Sequence, residues 1–344
     1  MRRTSMKAAV WHGGRDIRIE DVPEPTIQSN EVLVRVRSVG ICGSELHAYE
    51  GISERRRPPL IMGHEFSGEI SAVGEDIGYL GRGDRVAVDP VIRCGVCEQC
   101  LRGRGNVCRN LRLVGLHTSG AFAEYVSVPA MNCHKLHENI SFEEGSIAEP
   151  LSVAVHAVNR TPITLGDTVA VIGAGIIGLT VLQVAKLAGA ARVFVTDILD
   201  YRLDFARSLG ADMTVNSAAE DSVERIRKAT DGLGVDVALE AVGLEVTVQQ
   251  AMKMAAIGGK LTIIGNLAKT MTLDIQDAVL KEFDIKGSYC YAPEDFRRAI
   301  NFIEDRRIDV KSLITNVFPL DEAEKGFELL HKKTGRVLKV LLRP

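Results

Sequence analysis

The chain has 344 residues, about two domains' worth, and its 46% hydrophobic and 25% charged residues suit a soluble globular protein rather than a disordered one. Its 42 basic and 45 acidic residues leave a net charge of −3, which offers no basic footprint for nucleic acid or for an anionic membrane. No signal peptide or membrane span is expected. After the basic start, His12 and Arg15 cut off any apolar run of signal-peptide length, and Gly173, Gly175, Gly178 and Gln183 interrupt the most apolar window, 167–186.

From the N-terminus, 7–11, 17–22 and 31–39 read as strands, the last with Val32, Val34 and Val36 alternating with polar neighbours. The segments 68–74 and 84–88 continue this β-rich character. After about residue 150 the rhythm changes to strand then helix. Strands are expected at 168–172, 192–196, 213–215, 235–240, 260–264 and 284–287. Helices are expected at 176–188, 201–209, 222–230 and 246–256. Apolar strands alternating with helices indicate a doubly wound parallel sheet. The tail is mixed, with 293–305 and 321–331 helical and 337–342 a strand. The expected fold class is therefore α/β: a β-rich first domain and a doubly wound second one.

The stretch from Thr168 to Gly178 is a strand that runs through Gly173-x-Gly175-x-x-Gly178 into a helix. Gly173 permits the tight turn, Gly175 lets backbone approach a pyrophosphate, and Gly178 lets helix pack on strand. The helix N-terminus, at Ile176 and Ile177, offers N–H groups to the phosphates. Asp197, nineteen residues after Gly178, is placed to accept from adenosine ribose hydroxyls and to repel a 2′-phosphate, which favours NAD over NADP. Arg202 either faces the adenosine end or is an exposed helix arginine. Val242, just after the strand at 235–240, and Ile264, at the end of the strand at 260–264, complete the expected cofactor-binding set.

Seven cysteines, four of them within fifteen residues, do not make a secreted disulfide framework. Cys94-x2-Cys97-x2-Cys100-x7-Cys108 offers four thiolates for a closed, structural zinc site. An iron–sulfur cluster is the rival, disfavoured by the long last spacing and the missing Cys-Pro. A reducing, cytoplasmic compartment is expected. Cys42, His64 and Glu65 offer a second set, a cysteine, a histidine and a carboxylate, that leaves one position of a metal open.

Residues 63–77, GHEFSGEISAVGEDI, fit GHE-x2-G-x5-G-x2-I without a gap. With the cysteine lobe, the glycine loop and the closing GRVLKVLL, the chain resembles the zinc-containing medium-chain alcohol and polyol dehydrogenases over nearly its whole length. The resemblance implies a GroES-like catalytic domain, 1–150 plus 291–344, around a Rossmann NAD-binding domain, 151–290. It implies two zinc ions per chain, NAD, a small alcohol or polyol substrate, and a homo-oligomer, dimer or tetramer. Cys42 and His64 match the constant catalytic zinc ligands. Glu65 matches the adjacent carboxylate, and Glu149, in AEPLSVAVHA, resembles the carboxylate of the sorbitol, threonine and butanediol dehydrogenase branch. Which glutamate touches the ion stays open. Ser44 and His47 match the proton relay, which would carry the substrate hydroxyl's proton by way of the nicotinamide ribose to solvent.

Two departures from the family pattern stand out. Glu45 occupies a position where many relatives have aspartate behind the zinc-bound histidine. Tyr289-Cys290-Tyr291 lacks the arginine that sorbitol dehydrogenases often carry there, which counts against sorbitol itself. The expected activity is oxidation of a secondary alcohol, sugar alcohol or sugar acid by NAD. Threonine or an aldose is the alternative for the same site, and a non-catalytic NAD- and zinc-binding regulator is the reading from another class. Of the remaining candidates, Ala48, Tyr49 and Leu116 are expected to set substrate choice. His117, His134 and His137 are expected at the surface, His156 packed in a helix, Cys133 and Cys290 buried, and Arg55-Arg56-Arg57 in a solvated loop.

Overall fold

The structure is a computed structural model and describes residues 5–344. The chain divides into two compact units, one of residues 1–149, 292–306 and 310–344, the other of 150–291 and 307–309.

In the first unit the main sheet runs in the order Cys133–Lys135, Arg85–Val88, Glu65–Val73, Glu31–Gly40, Lys339–Arg343, Ile314–Pro319, with Tyr125–Pro129 also paired to Glu31–Gly40. The valines of 31–39 put Val32, Val34, Val36 and Val39 into a core with Phe66, Ile70, Val86 and Phe122. The register of the central strand builds the site. Its last residue, Gly40, lies opposite Glu65 on one neighbour and opposite Leu341 on the other. Cys42 therefore emerges beside His64, although the two are far apart in sequence.

The second unit is a six-stranded parallel sheet in the order Met213–Asn216, Arg192–Asp197, Thr168–Ile172, Val235–Glu240, Ala255–Ile263, Asp284–Gly287. Numbered within the unit this is 3-2-1-4-5-6, the order whose reversal point forms a dinucleotide crevice. The reversal falls between Thr168–Ile172, which runs into the glycine loop, and Val235–Glu240. This two-domain α/β architecture, GroES-like unit plus parallel Rossmann unit, is the one the sequence led us to expect.

Some elements differ from expectation. The helix expected over 246–256 is Glu245–Met254, and Ala255 already pairs with Val235 at the start of strand Ala255–Ile263. The run Met254-Ala-Ala-Ile-Gly-Gly carries no period that separates helix from strand, so pairing with a neighbour decided it. Helix Ala148–Arg160 holds His156, as expected, and strand Ile314–Pro319 was not foreseen.

Candidate active site and metal centres

Cys42 begins the short helix Gly43–Tyr49 and caps it. The Ser44 N–H points to Cys42 Sγ, and the Cys42 N–H donates to Glu45 Oε2 at 2.9 Å. Glu45 is thereby turned inward, completely buried. Its Oε1 accepts from His64 Nδ1 at 2.8 Å and from the Gly63 N–H at 2.8 Å. The longer side chain keeps the family's carboxylate–histidine contact, fixes the His64 ring and leaves Nε2 free of that bond. Burial disfavours the charged forms of both groups, but their mutual attraction wins. Glu45 lies below the usual carboxylate range, and His64, with Glu45 and Cys42 beside it, is raised well above its ordinary value.

Cys42, His64 and Glu65 each bring a ligand atom within 4.8 Å of the others. Glu65 Oε2 is paired with the ammonium of Lys339, which also donates to the Ile41 carbonyl at 3.1 Å. A Cβ at Gly40 would strike Glu65 Oε2 and Lys339 Cε, so any larger residue there would displace this pair. Among the described residues Glu149 is not part of the three-residue cluster; it stands in the first turn of Ala148–Arg160, 9% exposed. Ser44 Oγ lies 3.4 Å from Cys42 Sγ. His47, one turn on, is pulled below its ordinary value by burial, which Glu50 opposes and Arg56 and Lys333 reinforce.

Cys94, Cys97, Cys100 and Cys108 form a second cluster. Neighbouring sulfurs stand 3.4, 3.6, 3.9 and 4.0 Å apart and none is in a disulfide. Four sulfurs about 2.3 Å from one tetrahedral ion would be about 3.8 Å apart, so the set fits a single metal. No space remains between them for the iron and sulfide atoms of a multi-iron cluster. The N–H groups of Cys100 and Arg109 aim at Cys97 and lower its thiol to about 6.

In the second unit Gly173 has φ of +97° and a Cβ there would come within 2.5 Å of Val242, so turn and crevice wall depend on glycine. A Cβ at Gly178 would strike the Gly173 carbonyl, whereas one at Gly175, which caps helix Ile176–Leu187, would meet nothing. The helix start around Ile176 and Ile177 is thus open to a ligand. Asp197 accepts from the N–H groups of Ala174 at 2.7 Å, Ile198 at 2.8 Å and Leu199 at 3.0 Å, tying itself to the glycine loop. Arg202 is half-buried, 3.7 Å from Asp197 Oδ2. The Ile264 N–H donates to the carbonyl of Glu240, at the end of the strand beside the crevice.

Residues 28–138 match the family described as Alcohol dehydrogenase GroES-like domain, and residues 177–305 match Zinc-binding dehydrogenase. The sorbitol dehydrogenase of Bacillus subtilis (strain 168) is 36% identical, covering 99% of this chain and 98% of the relative. The chain belongs to the zinc-binding medium-chain dehydrogenase family. It is a nicotinamide-dependent oxidoreductase acting on CH–OH groups. The L-threonine 3-dehydrogenase of Bacillus licheniformis is 38% identical over 99% of both chains. A zinc-binding dehydrogenase from Sinorhizobium meliloti 1021, solved bound to NADP, superposes with a TM-score of 0.93 at 34% identity, covering 99% of this chain and 100% of that one. Among the described residues, no helix of this dehydrogenase is long and apolar enough to cross a membrane.

Several lesser expectations need correction. Arg56 is buried, 6% exposed, between the exposed Arg55 and Arg57. Ala48 and Tyr49 are buried in the core of the first unit, and the Tyr49 ring packs 5.1 Å from that of Phe327. His134 is half-buried against Phe296, ring centroids 5.0 Å apart, while His117 and His137 are exposed. Cys133 is buried, but Cys290 is only half-buried. Lys339 was missed altogether, since a lysine in an apolar strand, VLKVLL, carries a signal only when its partner is known.

Proposed function

We propose that this enzyme is a zinc-dependent dehydrogenase that oxidises a secondary alcohol, sugar alcohol or sugar acid with NAD. The observation that carries the reading is the convergence of Cys42, His64 and Glu65 within 4.8 Å, with a hydroxyl, Ser44, at the same sulfur. A thiolate, an imidazole and a carboxylate suit zinc and leave room for substrate. Zinc bound there would act as a Lewis acid on the substrate oxygen.

The chain's own residues do the rest. Cys42 and His64 hold the metal, with Glu45 orienting His64. Glu65, or Glu149 from the helix start, supplies a carboxylate to the metal's surroundings. Ser44 Oγ accepts the substrate hydroxyl's proton as it releases its own, and His47, which burial holds below its ordinary value, receives it by way of the nicotinamide ribose and passes it to solvent. Gly173, Gly175 and Gly178, with the N–H groups at Ile176 and Ile177, receive the pyrophosphate. Val242 and Ile264 border the cofactor, and Asp197, with Arg202 behind it, takes the adenosine ribose and favours NAD. Cys94, Cys97, Cys100 and Cys108 hold a second, structural zinc. A dimer or tetramer and a cytoplasmic setting complete the proposal.

The test is NADH formation by zinc-loaded protein over a panel of polyols, aldonates, butanediols, aldoses and L-threonine, beside the Cys42→Ala variant. Response confined to one group, abolished in Cys42→Ala with NAD still bound, supports the reading. Turnover that survives Cys42→Ala overturns the metal's role. A response to L-threonine alone would select the second reading, which the threonine-dehydrogenase relative favours. A metal content of one zinc per chain with no turnover would instead fit a regulator.

A further inference from the structure

The guanidinium of Arg56 is almost sealed from water, its side chain 3% exposed, in the first unit beside the residues of the proposed proton path. Its Nη1 donates to the Ser44 carbonyl at 2.9 Å and its Nη2 to Ser44 Oγ at 3.2 Å. Its Nε reaches the carbonyl of Gly115 at 3.4 Å, and Nη2 stands 4.0 Å from Glu45 Oε1, the oxygen that holds His64. A buried arginine is costly unless its donors are used. Here two are spent on Ser44, two residues after Cys42, and one on the turn at Gly115, while the charge stands 4.0 Å from the carboxylate behind His64. A Cβ on Gly115 would meet the Gly63 carbonyl at 2.8 Å, so that turn is seated against the His64 segment.

We infer that Arg56 is a positioning residue that fixes the orientation of the Ser44 hydroxyl for proton transfer. An arginine has donors and no acceptor, and a serine hydroxyl has one proton and two lone pairs. With one lone pair of Ser44 Oγ taken by Arg56, the hydroxyl proton cannot point toward the guanidinium. One lone pair then remains to accept a proton from a substrate hydroxyl, and the serine's own proton, which faces Cys42 Sγ at 3.4 Å, is the one released toward the nicotinamide ribose and His47. As the new O–H bond forms on Ser44 Oγ the old one breaks, so the hydroxyl stays neutral throughout. Arg56 also opposes a second proton on Ser44 through its charge. Because it grips both the carbonyl and the hydroxyl of Ser44, the geometry of the guanidinium is needed and not its charge alone.

The inference rests on the proposed role of Ser44, and a double-mutant cycle separates the two. Arg56→Met, Arg56→Lys, Ser44→Ala and the Arg56→Met/Ser44→Ala double variant are compared on the substrate that the panel selects. Bound zinc, NADH affinity, kcat, KM and the solvent deuterium isotope effect are measured for each. Arg56→Met is expected to retain zinc and NADH affinity and to lose kcat about 10–100-fold, within the range of a proton-transfer contribution. Its solvent isotope effect should rise. Arg56→Lys should recover only part of the loss, and adding Arg56→Met to Ser44→Ala should cost nothing further. Losses that multiply in the double variant, or an unchanged isotope effect in Arg56→Met, overturn the role of Arg56. A Ser44→Ala variant with normal kcat overturns the proton path itself. Should Arg56→Met not fold, Arg56→Lys with Ser44→Ala completes the same cycle with the same criteria.

Discussion

The ammonium of Lys339 meets the carboxylate of Glu65 inside the first unit, with 1% and 2% of the two side chains exposed. One residue comes from the last strand and the other starts the strand that follows His64; the central strand, ending at Gly40, brings them together. Burial disfavours the lysine's charge, yet Glu65 and Cys42 outweigh it and raise its pKa. The pair therefore leaves a candidate metal ligand with its charge already balanced by the protein.

Lys339→Met should be among the most damaging single changes in the chain. It strands the Glu65 charge in a buried setting, at a cost of about 3–5 kcal/mol. Urea unfolding of the metal-free protein should show a loss of that size, and Glu65→Gln added to Lys339→Met should restore much of it. Equal stabilities for wild type and Lys339→Met would show that Glu65 does not depend on this partner.

Removing one sulfur from the four-cysteine cluster should cost one metal and no more. Cys97→Ser is expected to lower bound zinc from two ions to one per chain, read by elemental analysis, and to make the first unit sensitive to protease. The remaining ion should stay with Cys42 and His64, since the two clusters share no residue. Full zinc content in Cys97→Ser would contradict the structural site.

Asp197 ties the glycine loop to the adjacent strand through the Ala174 N–H, and in the proposed reading its carboxylate would repel a 2′-phosphate. Asp197→Ala should weaken NAD binding by about 10–100-fold, as expected for lost hydrogen bonds to a charged group, while binding of NADP changes less. Fluorescence titration with NADH and NADPH gives the ratio directly. An unchanged preference would mean that another residue selects the cofactor.

Burial, reinforced by Arg297 and Arg93, pulls His134 down to about 4. Unfolded histidine titrates near 6.5, so between these values the unfolded chain binds a proton that the folded chain does not. Stability from this residue is full above pH 6.5 and is lost as the pH falls toward 4, amounting to about 2 kcal/mol at pH 5. Urea unfolding of wild type and His134→Gln at pH 7.5 and pH 5 should show the wild type losing its margin over the variant. A gap independent of pH would mean that His134 titrates normally in the fold.

What could be read from sequence was chemistry held within short spans. The four cysteines come together because turns bring near neighbours together, and the glycine loop is built from a strand, a turn and a helix that adjoin in the chain. The fold class followed from the change of rhythm near residue 150, and Cys42, His64 and Glu65 were picked out by the GHE motif and its resemblance. Tertiary structure decided whatever depended on distant pairing. Nothing in RRR distinguishes Arg56 from its neighbours; only the depth of its position, against Ser44 and Gly115, sets it apart. Nothing in VLKVLL announces a charge partner, because Lys339 meets Glu65 through strand register. Nothing near Tyr49 in sequence announces that Phe327, from the far end of the chain, packs on it. Local spacing is set by bond geometry, whereas a long-range contact exists only once the sheet has chosen its neighbours.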